Sequence, residues 1–364
     1  MAEELRRTPL HNAHRTLGAR MAPFAGWDMP VQYAGILDEA RAVRASVGVF
    51  DVSHMGRYRL RGRGATDTLE RVSSNGIASL APGMARYSLL LNQRGGIMDD
   101  VIVNRIGPEQ YLVVVNAANA AKDWAWLGEY CAAGTALDDH TVETAAVAVQ
   151  GPQAVGLVAR TYGEELAATR RFSVTAQARG SDTWLFCRTG YTGEDGFEIV
   201  VPAGDAPGLW EQLLGAGAVP CALGARDVLR TEAGYPLYGH EIDEDTSPVD
   251  AGLLFAVSTE GRDFVGRAAV DQRRHESADR VLVGLLVSGR VVPRQGYTLY
   301  HHQVPVGTVT SGVFSPLRER GVGMGFVTRG AVKAGDTVDV DVRGNRHSAM
   351  VVARRNMLES IRTL

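Results

Sequence analysis

Two adjacent carboxylates pose the chemical question. In the stretch NQRGGIMDDVIVNR, Asp99 and Asp100 follow a Gly-Gly turn and a short apolar pair, and precede a β-branched run. A strand sends successive side chains to opposite faces, so only one of the two can serve a given pocket. Either both are solvated residues at a strand entry, or one points into a cleft and organises a protonatable substrate nitrogen.

Two further stretches carry chemistry. In RTGYTGEDGFEIVV, Gly190, Gly193 and Gly196 bracket a tight turn that leaves room for a flat ligand beside the backbone, and Tyr191 can stack on a ring. Beyond the turn, Phe197, Ile199 and Val201 share one strand face, while Glu198 and Val200 share the other. A carboxylate on a partly apolar face needs a donor, from the protein or from a ligand. In LGARDVLRTEAG, helical spacing aligns Arg226, Arg230 and Ala233, with Asp227 beside them. That pattern is either a helix with ordinary salt bridges or an arginine fork offered to an anionic or carbonyl-rich ligand. Glu198 and Arg226 together would grip a heterocycle showing donors and acceptors on one edge, as a pterin does.

These side chains need a scaffold. A chain of 364 residues predicts two or three domains. ILDEARAVRASVGVF predicts a helix with Ile36, Leu37, Ala40, Val43 and Val47 on one face, closed by Gly48. YSLLL and IMDDVIV predict a hairpin across NQRGG, with YLVVVNA as a third strand. AAKDWAWLGEYCAA predicts a helix with Trp124, Leu127 and Cys131 aligned. VETAAVAVQGPQAV predicts a strand entering a helix with Pro152 in its first turn. DTWLFC and GFEIVVP predict strands around the Gly-rich turn. DAPGLWEQLLGAG predicts a helix N-capped by Asp205, and LGARDVLRTEAG a helix ending near Gly234. This order predicts an α+β fold with mixed or antiparallel sheets, not a doubly wound parallel one. After about Ser277 only short, turn-separated strands follow, which predicts a small all-β barrel or jelly roll. DQRRHESADR reads as a polar linker. The expected division is therefore 1–276, as two interleaved α+β subdomains, and 277–364, as the β module.

Composition removes several function classes. A net charge of -3 supplies no basic field for nucleic acid. Cys131, Cys187 and Cys221 form no CxxC pair, so neither zinc nor a redox dithiol is signalled, and sparse cysteine fits a reducing compartment. The start MAEELRRTPL is unlike a signal peptide, and no apolar run is long enough to cross a bilayer, so the expected location is the cytoplasm. No phosphate loop, zinc-protease or serine-hydrolase elbow motif occurs, and GVGMGF lacks the dinucleotide spacing. His11 with His14, and His301 with His302, have no carboxylate at metal spacing and read as surface histidines.

Six motifs in order, PFAGWDMPVQY, VGVFDVSHMG, GGIMDDVIV, VVNAAN, RTGYTGEDGFE and LGARDVLRTEAGYPLYGHE, resemble the aminomethyltransferase (T-protein) family of the glycine cleavage system. The resemblance runs from about Thr8 to Arg329. It implies a cloverleaf of α+β subdomains around a folate channel with a C-terminal barrel-like domain. It implies transfer of a one-carbon unit from an aminomethyl group on the lipoyl arm of H-protein to tetrahydrofolate as co-substrate. Ammonia is released, 5,10-methylenetetrahydrofolate is formed, and no metal takes part. Position by position it selects Asp100 as the catalytic carboxylate, which leaves Asp99 structural. It matches Glu198 and Arg226 to the pterin end with Tyr191 beside them, Tyr87 and Asn116 to further folate contacts, and Met55 to an apolar contact. An unperturbed aspartate titrates near 3.9, so Asp100 is expected to be ionised at neutral pH unless strongly desolvated. The ending ARRNMLESIRTL lacks the Pro-Phe stretch and late aromatic common in the family, so no C-terminal contact to folate or H-protein is carried over. A folate-dependent demethylase of the same fold is the alternative. A folate-binding iron–sulfur maturation factor would carry a cysteine motif, KGCYxGQE, where this chain has RTGYTGEDGFE.

Overall fold

The computed structural model describes residues 4–276 and 279–363. Three large β assemblies organise them, beside a two-stranded sheet of Arg20–Phe24 and Trp27–Gln32. The strand Ile97–Gly107 buries Asp99, Val101 and Val103 on one face and leaves Asp100 and Ile102 partly exposed on the other. It pairs antiparallel with Met84–Leu91, as the predicted hairpin, and with Gln110–Val115. With Gly56–Arg61 and Ala136–Asp139 these strands make a five-stranded sheet. Val101 and Val103 share its core with Leu60, Leu69 and Leu127, the last from the helix Ala120–Glu129.

The second sheet has six strands, all antiparallel except the Val219–Pro220 edge, which runs parallel to Gly48–Asp51. The predicted alternation on Gly196–Pro202 holds. Phe197, Ile199 and Val201 pack with Val147, Val149 and Trp210. Val200 joins Phe50, Val228 and the barrel residues Val313 and Phe326 on the opposite side. The third assembly, strands from Arg280 to Val352, closes into a six-stranded barrel rather than a jelly roll. Closure leaves no free edge. The fold is thus α+β with a C-terminal barrel.

Polar ties dock the barrel. From the helix Leu223–Glu232, Arg230 donates to Ser311 Oγ at 2.9 Å, and Glu232 accepts from Ser315 Oγ at 2.5 Å. Glu232 also pairs with Arg44 at 2.9 Å, and Arg44 reaches Glu194 at 2.7 Å. The helix Met357–Thr363 then returns to bury Met357 and Ile361 in the apolar cluster between barrel and sheet.

Several sequence expectations are corrected. The helix Ile36–Ala45 stops before Gly48, which opens a strand where a Cβ would overlap Val43 and Cys221. Pro152 precedes the N-cap Gln153 instead of entering the first turn. Cys131 lies beyond the end of its helix. Asp205 occupies the N-cap position, but its carboxylate accepts the Trp184 indole N–H at 2.8 Å and caps nothing. Residues 271–276 of the presumed linker belong to the helix Arg267–Glu276, anchored by Val270, which is buried with Leu91 and Ile97. The boundary at residue 277 lies outside the described residues, as do residues 1–3 of the N-terminus. His11 and His14 are buried, not superficial. Aspartates supply their partners: His11 Nε2 lies 2.8 Å from Asp28 and His14 Nε2 lies 2.9 Å from Asp51.

Candidate functional site

The two aspartates sit just after an irregularity. Pairing with Met84–Leu91 jumps from Leu90↔Asp99 to Leu91↔Ile97, which leaves Met98 as an extra residue. Such a bulge bends a strand and re-aims the side chains next to it. On the other side, the pairing with Gln110–Val115 ends at Ile102↔Val114. Past that point the Asn116–Asn119 turn folds back over the aspartates. Asp99 accepts the Asn116 backbone N–H at 2.9 Å, the Asn116 side-chain amide at 2.8 Å and the Asn119 amide at 2.6 Å. The same Asn116 amide donates to Asp100 Oδ1 at 2.8 Å, and the Tyr87 hydroxyl donates to Asp100 Oδ2 at 3.1 Å.

Burial, reinforced by the negative charge of Asp99, pushes the Asp100 carboxyl up to about 7. Desolvation disfavours the charged form. The desolvated case therefore applies, and Asp100 is poised between acid and base near neutral pH instead of fully ionised. This is the range that general acid–base chemistry uses.

Glu198 and Arg226 come from different elements and stand face to face. The Thr189 hydroxyl donates to Glu198 Oε2 at 2.6 Å. Glu198 Oε1 lies 3.9 Å from Arg226 Nη2, beyond hydrogen-bond reach. Arg226 Nη1 is buried and has no partner among the described residues. The guanidinium lies 5.1 Å over the Tyr191 ring, whose hydroxyl donates to the Pro236 carbonyl. A buried donor without a partner beside a carboxylate with a free edge fits a ligand that brings both complements. Tyr191 feels the charges of both Arg226 and Asp100, so the clamp and the carboxylate lie near one another.

The remaining expected residues divide. Tyr87 and Asn116 both bond Asp100 directly. Met55 packs against the cluster of Phe50, Val52 and Leu112, with no polar tie to the others. Arg230, aligned with Arg226 in sequence, is a structural residue bonded to Asp227, Glu241 and Ser311. The room at Gly190 and Gly196 is already filled: a Cβ there would meet the Gln150 side chain and the Val149 carbonyl. These glycines serve close packing within the protein, not ligand approach.

Sequence reasoning missed four participants. Asn119 and Asp123 complete the surroundings of Asp99. Phe255, 71 % exposed, stacks on Tyr87 with centroids 5.8 Å apart. Arg354, beyond the barrel, bonds the Gly234 and Gly252 carbonyls at 2.7 and 3.2 Å and extends its charge to Tyr87. The C-terminal segment thus does approach the site. No local pattern marks Arg354, because the barrel fold alone brings it there. Among the described residues, no cluster of three or more His, Cys, Asp or Glu is disposed to hold a metal.

A desolvated carboxylate and an open glutamate–arginine clamp on an α+β scaffold with a barrel suit an enzyme that transfers a group to a planar heterocycle. Residues 10–261 match the GCVT N-terminal domain, and residues 280–355 match the glycine cleavage T-protein C-terminal barrel domain. An aminomethyltransferase of Geobacillus kaustophilus is 44 % identical, with 96 % of this chain and 97 % of that protein covered. One from Symbiobacterium thermophilum is also 44 % identical, with 97 % of each covered. The crystal structure of glycine cleavage system aminomethyltransferase T from Bartonella henselae superposes with a TM-score of 0.90 at 36 % identity, covering 96 % of this chain and 98 % of that one. The chain belongs to the glycine cleavage T-protein family, and its activity is folate-dependent aminomethyl transfer.

Proposed function

We propose that the enzyme takes the aminomethyl group from the dihydrolipoyl arm of H-protein and delivers its carbon to tetrahydrofolate, with Asp100 handling the proton and Glu198 and Arg226 holding the pterin. The open clamp carries this reading: Glu198 Oε1 and Arg226 Nη1 offer an acceptor and a donor with no partner in hydrogen-bond reach among the described residues. Charge-assisted bonds of this kind contribute roughly 1.5–3 kcal/mol each. Tyr191 lies under the guanidinium as a flat wall for the ring.

The chemistry needs positioning more than covalent help. The carbon of S–CH2–NH2 exchanges its bonds to nitrogen and sulfur for bonds to two folate nitrogens. The two protons that folate gives up end on the departing ammonia and on the thiol sulfur. Asp100, with its affinity for protons near neutrality, accepts one of them and passes it on. As a carboxylate it also stabilises positive charge developing on the transferred carbon. Tyr87 and Asn116 fix its orientation and border the folate, and Met55 lends apolar contact. Holding both reactants in one cleft supplies much of the acceleration.

The proposed partners are lipoylated H-protein and tetrahydrofolate, neither nucleic acid nor membrane, and the proposed location is the cytoplasm. No described helix is long and apolar enough to cross a membrane. The proposed domains are 1–276 and 277–364. The test is a single-turnover assay with aminomethyl-loaded H-protein, with and without tetrahydrofolate, following ammonia and methylenetetrahydrofolate. Folate-dependent, stoichiometric formation of both is expected. Tight folate binding without product would transfer the site to a demethylase with another donor.

A further inference from the structure

The first aspartate of the pair takes no part in this scheme, yet its surroundings are unusual. Asp99 is fully buried on the face that carries Val101 and Val103. Three N–H groups converge on it, from the Asn116 backbone and the Asn116 and Asn119 amides. Against it lies Asp123 of the helix Ala120–Glu129, also fully buried, with neither carboxyl oxygen reached by any N–H or O–H donor among the described residues. Two buried carboxyls that perturb each other this strongly disfavour double ionisation, and they share a proton. The three donors on Asp99 hold down its proton affinity while burial and the charge of Asp99 push the Asp123 carboxyl up to about 11, which favours the shared proton on Asp123.

The other titratable groups around the pair do not change this assignment. Lys122 is bonded to Tyr238 and Glu244, at 2.8 Å each. The Tyr58 hydroxyl donates to the Ala120 carbonyl, and burial keeps both Tyr58 and Tyr238 neutral. On the far side, Asp100 faces Tyr87 and Tyr191, both likewise neutral, with Arg354 beyond Tyr87.

We propose that Asp99 is the positioning residue for Asp100: it clamps the Asn116 amide so that N–H, not C=O, faces Asp100, and it keeps a fixed negative charge one amide away, with Asp123 as its proton-carrying partner. The single Asn116 NH2 spans both carboxylates, at 2.8 Å from each. Flipping that amide would set its oxygen against two carboxylates. The charge on Asp99 makes Asp100 a better proton acceptor near neutral pH, as burial alone also does. Adjacent residues on opposite strand faces therefore act on the same proton, through an asparagine that folds over the strand end.

The inference rests on Asp100 as the proton-handling group, and two measurements separate it from that reading. The first is the pH dependence of kcat/KM. In Asp99→Asn the acidic limb should move down by about one pH unit or more, with kcat reduced of order tenfold and folate affinity changed less than about threefold. Asp123→Asn keeps a donor to Asp99 and should leave the limb in place. The second is a 13C-carboxyl NMR titration of wild type and Asp123→Asn, which needs no turnover and stands even where Asp99→Asn does not fold. It should show Asp123 protonated and Asp99 ionised across neutral pH. An unmoved limb in folded Asp99→Asn, an equal shift in Asp123→Asn, or a protonated Asp99 overturns the inference. Wild type without turnover would remove the role of Asp100 and leave the resonance assignment to be judged alone.

Discussion

The Tyr87 hydroxyl donates to Asp100 Oδ2 at 3.1 Å while its ring lies against Phe255, 18° from parallel. A hydrogen bond to the ionised form of a carboxyl lowers its proton affinity. Tyr87→Phe keeps the stacked ring and removes the donor. The acidic limb of the kcat/KM profile should then move up by a fraction of a pH unit, with turnover several-fold lower. A limb that stays or moves down would show that this bond does not favour ionised Asp100.

Asp100 should cost stability as well as supply chemistry. Its carboxyl is raised to about 7 in the folded state, against about 3.9 in an unfolded chain. The folded state therefore holds more protons between those values, and wild type loses stability as pH rises through that window. Asp100→Asn has no such loss. The variant should match wild type near pH 4 and exceed it at pH 8 by about 2–4 kcal/mol, while retaining folate and losing most turnover. Urea unfolding at the two pH values, alongside an activity assay, checks both halves.

Glu198→Ala removes the acceptor side of the clamp and leaves Arg226 without an acidic neighbour at 3.9 Å. Tetrahydrofolate affinity should fall on the order of a hundredfold, equivalent to about 2.7 kcal/mol. Turnover at saturating folate should be largely kept, because Asp100 is untouched. Calorimetric titration read against kcat distinguishes this from general damage, which would lower both.

Arg44→Met tests the joint between sheet, helix and barrel. The Arg44 side chain is 3 % exposed and its partner Glu232 is wholly buried. Removing one member of a buried pair strands the other, at a cost of about 3–5 kcal/mol. Among the described residues, Glu232 would retain only Ser315 as a side-chain partner. Chemical denaturation should show this loss. A change below about 1 kcal/mol would mean that the joint is held by apolar packing alone.

The parts legible without the fold were those written in local periodicity. Alternation placed Glu198 opposite Phe197 and Ile199, and the turn at NQRGG announced the hairpin that carries Asp100. The misreadings share a cause. Gly190 and Gly196 signalled close approach, but whether a ligand or Gln150 approaches is a matter of tertiary contact. The polar run at 271–276 concealed a helix because a single buried Val270 anchors it.

The sequence by itself determined most element types, the alternation along the two site strands, an all-β C-terminal module and, through resemblance across six motifs, the family; the candidate site residues follow from that same resemblance. Only the tertiary structure decided the protonation of the site and the company its residues keep. Desolvation of Asp100 depends on what covers it: Tyr87 from the neighbouring strand and Asn116 from a turn beyond another. Arg354 reaches the Gly234 carbonyl across 120 residues of chain, after a whole barrel has closed. Charge and burial are sums over spatial neighbours, and no local pattern of residue types contains that sum.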